Sequence, residues 1–179
     1  MKFRALFLFC ALFLVGQNSP AMEKAVQANE HLKPLLPFVG KTWKGVFANS
    51  TADKPMVDVA RWELALNGQA IRVLHSVNDG IYGGESIIMW DAKQSKLMSF
   101  YFTTAGFFTT SAIEAGGDSF KSHEMVTGNQ NGITEVLSTT QILPDGRMHS
   151  KSKYLQNGAW VDGHEIMYSE DANAQVVLP

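Results

Sequence analysis

The sequence holds a single cysteine in 179 residues, Cys10, and that residue lies inside an apolar run near the N-terminus. Downstream of it there is no thiol, which excludes disulfides, thiolate metal sites and a cysteine nucleophile, and leaves the hydrophobic core as the source of stability. Clusters of basic side chains are missing as well. Lys151 and Lys153 alternate along a strand and read as a solvated face, and the acidic excess argues against a nucleic-acid partner or a membrane-surface site. The longest hydrophobic run, Ala5 to Gly16, is too short to span a bilayer, which takes about 20 residues. There is no Gly-rich phosphate loop, no nucleophile elbow, no His-Glu-x-x-His and no paired metal-ligand spacing, and the five histidines, His31, His75, His123, His149 and His164, fall on different elements. Nothing therefore signals catalysis, and the chain reads as non-catalytic.

What is present begins with a targeting signal. Lys2 and Arg4 precede the apolar run, and Ser19-Pro20-Ala21 supplies a small-residue cleavage site, so residues 1–21 read as a signal peptide and the product as periplasmic or secreted. Removal of that segment leaves 13 basic against 17 acidic side chains. About 150 residues then suit one domain with a sizeable core. The expected layout is a helical lead-in over 22–39, a β domain over 40–170 and a tail over 171–179.

Between Ala25 and Leu36, apolar residues at Ala25, Ala28, Leu32 and Leu35 or Leu36 repeat near the helical period until Pro37, which predicts one short helix. After Gly40 the pattern changes to runs of about ten residues rich in Val, Ile, Thr and aromatics. Turn signals such as Asn67-Gly68, Asn78-Asp79-Gly80, Ala105-Gly106, Pro144-Asp145-Gly146 and Asn157-Gly158 break these into about ten strands. Hairpins between successive strands predict an up-and-down antiparallel meander, and closure into a barrel removes its two edges. The fold class is thus all-β, an antiparallel barrel of about ten strands with one short N-terminal helix. A barrel wider than eight strands leaves room inside for a ligand.

Strand alternation then assigns faces. If Ala105-Gly106 is a two-residue turn, Thr104 opposes Phe107, and Phe100, Phe102, Phe107, Thr109 and Ser111 share the inward face. Trp62 and His75 fall on inward positions by the same reasoning, and Trp43 joins them through the family resemblance given below. A two-residue turn at Asn157-Gly158 puts Lys153 opposite Asp162 and Lys151 opposite His164 on the outside, leaving Ser150, Ser152, Tyr154 and Glu165 inside. Rings interleaved with hydroxyls suit a binding cavity better than a dry core. The candidate ligand-binding residues are therefore Trp43, Trp62, His75, Phe100, Phe102, Phe107, Thr109, Ser150, Ser152, Tyr154 and Glu165. Their expected ligand is a small, mainly apolar or aromatic molecule, with no metal and no cofactor.

The stretch LLPFVGKTW, Leu35 to Trp43, followed by Lys44-Gly45, resembles the opening of calycin-like (lipocalin and fatty-acid-binding-type) barrels and of the nitrobindin-like haem-binding barrels. Tyr82-Gly83-Gly84-Glu85, Met89-Trp90-Asp91 and Leu143-Pro144-Asp145-Gly146 also look like exported members of these families. The resemblance implies a ten-stranded barrel with the helix across one end and Trp43 packed at its base. From the nitrobindin-like side it implies an alternative function, haem with nitric-oxide or peroxynitrite chemistry. Its axial histidine would lie on the C-terminal strands, as His164 or His149, with His75 as a further candidate.

Overall fold

The computed structural model describes residues 26–129 and 131–178. The expected signal peptide, 1–21, and Ala25 lie outside the described residues. Glu30–Phe38 forms a 3-10 helix that opens on Asn29, whose Oδ1 accepts the His31 N–H. The tighter helix follows from the spacing of the apolar side chains. Leu32, Leu35 and Phe38 recur every third residue and are all fully buried, and three residues per turn puts them on one edge. Pro34 and Pro37 share that spacing on another edge, so the helix runs through Pro37 instead of stopping before it.

Ten strands follow: β1 (Lys41–Phe47), β2 (Val57–Ala65), β3 (Ala70–Val77), β4 (Tyr82–Asp91), β5 (Lys96–Thr103), β6 (Phe108–Gly116), β7 (Ser119–Thr127), β8 (Ile133–Ile142), β9 (Met148–Gln156) and β10 (Ala159–Glu170). Each pairs antiparallel with the next, and β1 pairs with β10, so the sheet closes into an up-and-down barrel without a free edge. After β10 the chain turns outside the wall, where the Asp171 N–H donates to Thr42 O and the Val177 N–H to Ser76 Oγ.

The helix plugs one end. Beneath it Trp43, Trp62, Ile71, Ile88, Leu97, Ile113 and Phe120 fill the barrel axis, with Phe38 edge-on to Phe120 at 5.2 Å between ring centres. The Trp43 indole N–H donates to Phe38 O at 3.2 Å, which ties the base of β1 to the plug. At the opposite end the inward side chains are polar, and many of them, including Ser138, Ser152 and Tyr154, retain accessible surface although they point into the barrel. One half is thus packed and capped, and the other is open.

Two register shifts overturn part of the face assignment. The β5–β6 loop holds three residues, not two: Phe102 pairs with Phe108, the Thr103 N–H donates to Phe107 O, and Gly106 takes φ +81° to close the loop. Parity therefore inverts along β5. Leu97, Ser99, Tyr101 and Thr103 face inward, whereas Phe100 and Phe102 face solvent, 38% and 55% exposed. Phe107, Thr109 and Ser111 remain inside as expected. In β10 the register slips between Asp162 and Glu165, where Gly163 and His164 together oppose Ser152. This bulge inverts the rest of the strand. Glu165 lies outside with His149 and Lys151 at 3.0 and 3.1 Å, and His164 turns inward. The expected inward Glu165 and outward His164 are both reversed.

Candidate functional site

The open half collects all four tyrosines of the chain, Tyr82, Tyr101, Tyr154 and Tyr168. Glycines on neighbouring strands make room for three of them. A Cβ on Gly45 would lie 2.4 Å from the Tyr168 ring, one on Gly84 2.6 Å from the Tyr101 ring, and one on Gly163 2.7 Å from the Tyr154 ring. The ring of one strand covers the bare backbone of the other, a pairing that also fixes strand register.

The hydroxyls of Tyr82, Tyr101 and Tyr168 join a continuous network. Asp58, at the start of β2 and 2% exposed, accepts the Tyr168 hydroxyl on Oδ2 at 2.8 Å and meets His75 Nδ1 through Oδ1 at 2.8 Å. His75 Nε2 lies 2.7 Å from the Tyr101 hydroxyl, which is 2.9 Å from that of Tyr82. With Asp58 as a carboxylate, His75 donates from Nδ1, so in the neutral ring Nε2 accepts from Tyr101, and Tyr101 in turn accepts from Tyr82. All the donors then point one way, toward Asp58. Burial raises the pKa of every one of these phenols, and the nearby Asp58 charge raises it further for Tyr82, Tyr101 and Tyr168. The phenols are neutral donors, not phenolates.

On the other side of the barrel interior Glu124 of β7 accepts Thr109 Oγ1 at 2.9 Å and Ser122 Oγ at 3.3 Å. Burial pushes its carboxyl pKa up, against the opposing effect of the two hydroxyls. Glu124 lies on the inward face of β7 and is half-buried. His164 sits nearest the mouth, its ring edge-on to Phe47 and Tyr154 at 5.2 and 5.4 Å. Its backbone is held by the bulge, with the N–H donating to the Tyr154 hydroxyl and the carbonyl accepting Ser152 Oγ. The residue as a whole is exposed at the mouth, but partial burial of the ring lowers its pKa, partly offset by Asp58, which favours its neutral form.

Of the residues expected from the sequence, His75, Phe107, Thr109, Ser152 and Tyr154 come together in the open half. Ser150 faces inward but bonds Thr140 at 3.1 Å, nearer the base. Trp43 and Trp62 belong to the packed half beneath the plug, away from the polar network. Phe100, Phe102 and Glu165 are on the outside. Sequence reasoning missed Asp58, Tyr82, Tyr101, Glu124 and Tyr168. A signal existed for Glu124: Lys121, His123 and Met125 alternate with it and are exposed, which by parity sends Glu124 in.

No protein-family model and no curated protein matches the chain. Among solved structures it is similar to the crystal structure of Rv2717c from M. tuberculosis, with a TM-score of 0.60 and 11% identity over 81% of this chain and 99% of that one. At that identity the likeness concerns the fold alone. The chain is a closed, ten-stranded, up-and-down antiparallel barrel, a fold compatible with a ligand-binding barrel.

Proposed function

We propose that this is an exported, lipocalin-like binding protein that holds one small ligand in the open half of the barrel. The observation that supports it most is the distribution of polarity along the barrel axis. A barrel that needed only to be stable would continue the apolar packing of Trp43, Phe120 and Ile113 through to the far end. Instead Asp58, His75, Tyr82, Tyr101 and Tyr168 are kept inside as one hydrogen-bonded chain, and Glu124 and Tyr154 are kept inside with separate partners, at the desolvation cost that buried polar groups carry. Rings with a few convergent polar groups are the make-up of small-molecule sites. The ligand this fits is aromatic with a polar group, more polar than the mainly apolar one expected from the sequence.

Filling the open half with a bulky side chain tests this. Ser138 faces inward midway along β8, and Ser138→Trp would occupy the space while Leu137→Trp, on the outer face, would not. Binding of 2-naphthylmethanol, read by its fluorescence, should be lost in the first variant and kept in the second. Equal binding by both would contradict the proposal.

Haem is the second reading, and His164 favours it. The bulge turns this ring inward, its nitrogens have no hydrogen-bond partner among the described residues, and a neutral imidazole is the form that ligates iron. His149, bonded to Glu165 on the outer face, is not placed for that role. When bound, haem would supply an iron that takes up small diatomic ligands. The donor fits, but the wall is less suited: haem carries two carboxylates, and the inward strand positions of the open half present Asp58 and Glu124 and no Lys or Arg. The organic ligand therefore comes first. A Soret band that appears on haem titration and shifts in His164→Ala would reverse that order.

A further inference from the structure

We infer that the ligand of the open half is a small cation, an aromatic molecule carrying a protonated amine, and that Glu124 takes its charge. This rests on the proposed ligand site and names the chemical class it selects.

Several carboxylates on the outer surface of the barrel have a basic partner. Glu63 and Glu85 flank Arg72, which donates to Glu85 at 2.8 Å; Glu165 meets Lys151, Glu170 meets Lys41, and Asp145 meets Arg147. Inside, Asp58 has His75 and the Tyr168 hydroxyl. Glu124 has only the hydroxyls of Thr109 and Ser122, and no basic side chain acts on it. A buried carboxylate without a cation is costly, and it is retained where a partner arrives from outside or a proton is held. The surroundings favour an arriving cation. Aromatic rings present a negative face, and Tyr82, Tyr101 and Tyr154 all stand within electrostatic range of Glu124. Asp58 adds a second negative charge to the same interior. An anionic ligand would meet two carboxylates and no Lys or Arg, whereas an ammonium group would find a carboxylate with aromatic side chains nearby. Its arrival would also favour the ionised form of Glu124, which burial alone disfavours.

Three probes with one ring system separate the possibilities: 2-naphthylmethylamine, 2-naphthylmethanol and 2-naphthylacetate, titrated at neutral pH against the full-length protein and its Glu124→Gln and Glu124→Asp variants. The amine should bind about 10- to 100-fold more tightly than the alcohol, the range a charge-assisted hydrogen bond supplies, and the acetate most weakly. Glu124→Gln should bring the amine to the level of the alcohol, and Glu124→Asp, which keeps the charge, should preserve part of the preference. Lowering the pH should erode the preference as Glu124 takes up a proton. The other groups facing it include Tyr82, Tyr101, Tyr154 and Asp58, with His75 and His164 in the same interior, and protonation of the histidines also repels a cation. The part due to Glu124 is the difference between wild type and Glu124→Gln. Equal affinities, tightest binding of the acetate, or an amine preference unchanged in Glu124→Gln would overturn the inference while leaving the site in place. Binding of none of the three would overturn both.

Discussion

Replacing Tyr168 by Phe removes one oxygen and leaves the ring over Gly45 untouched, which isolates the hydrogen bond to Asp58. That bond spans 2.8 Å to a carboxylate that is 2% exposed, and the other carboxylate oxygen is already engaged by His75. In the variant Oδ2 loses its donor in a place water does not reach. A hydrogen bond to a charged group is worth about 1.5–3 kcal/mol, and a buried acceptor left unpaired sits at the upper part of that range. The expected loss is therefore about 2–3 kcal/mol. For a domain of this size each kcal/mol moves the midpoint by about 2–4 °C, so Tm should fall by about 4–12 °C. Urea denaturation should show the midpoint lowered with the slope unchanged, since the compact state is the same. Tyr154→Phe provides the comparison. Its hydroxyl accepts a single backbone N–H at 3.2 Å near the mouth, and the cost should be about 0.5–1.5 kcal/mol. If Tyr168→Phe changed stability by less than about 0.5 kcal/mol, Asp58 would not depend on this hydroxyl and the description of the network would be wrong.

Other outcomes follow from the same geometry. Glu124 has a raised folded pKa, so the native state holds its proton more tightly than the unfolded chain and stability falls as pH rises from the ordinary carboxylate value through the folded one. Glu124→Gln should match wild type in acid and become the more stable protein toward neutral pH; a constant difference across pH 3–8 would contradict this. His164 has a lowered folded pKa, so its contribution is full at pH above its ordinary value and is lost as pH falls through that value toward the folded one. Its imidazole should titrate below His164 in a denatured reference by NMR, and a higher value would refute the burial argument. Phe102→Ala should cost less than about 1 kcal/mol, whereas Phe38→Ala in the plug should cost about 3–5 kcal/mol in the same unfolding assay. Gly45→Ala should cost about 1–3 kcal/mol, because its Cβ would collide with Tyr168.

The architecture was legible because it depends on period and punctuation. Alternating runs broken by Asn-Gly and Asp-Gly turns gave ten strands and closure, and the third-residue spacing of Leu32, Leu35 and Phe38 is plain in the sequence once a 3-10 helix is considered. The site was half legible. Faces are set by parity, and a single residue inverts every position beyond it. One inversion came from counting Ala105-Gly106 as the whole turn, which put Phe100 and Phe102 inside and Tyr101 out. The other came from β10, where Gly163 within the strand is the only local signal of the bulge. Strands β6 and β9, read from the other side of the same hairpins, kept their parity, so Thr109, Ser152 and Tyr154 were found. Asp58 could not be ranked from sequence, since its significance lies in contacts with Tyr168, 110 positions away, and with His75.

The most direct test of a ligand site in the open half is the position of a bound probe. With 2-naphthylmethylamine at saturating concentration, intermolecular NOEs or a crystal structure of the complex should place the naphthalene ring against Tyr101, Tyr154 and His164 and the amine beside Glu124. Contacts instead with the outer groove between Lys44, Val59 and Gln175, with the tyrosine signals inside the barrel unchanged, would contradict it.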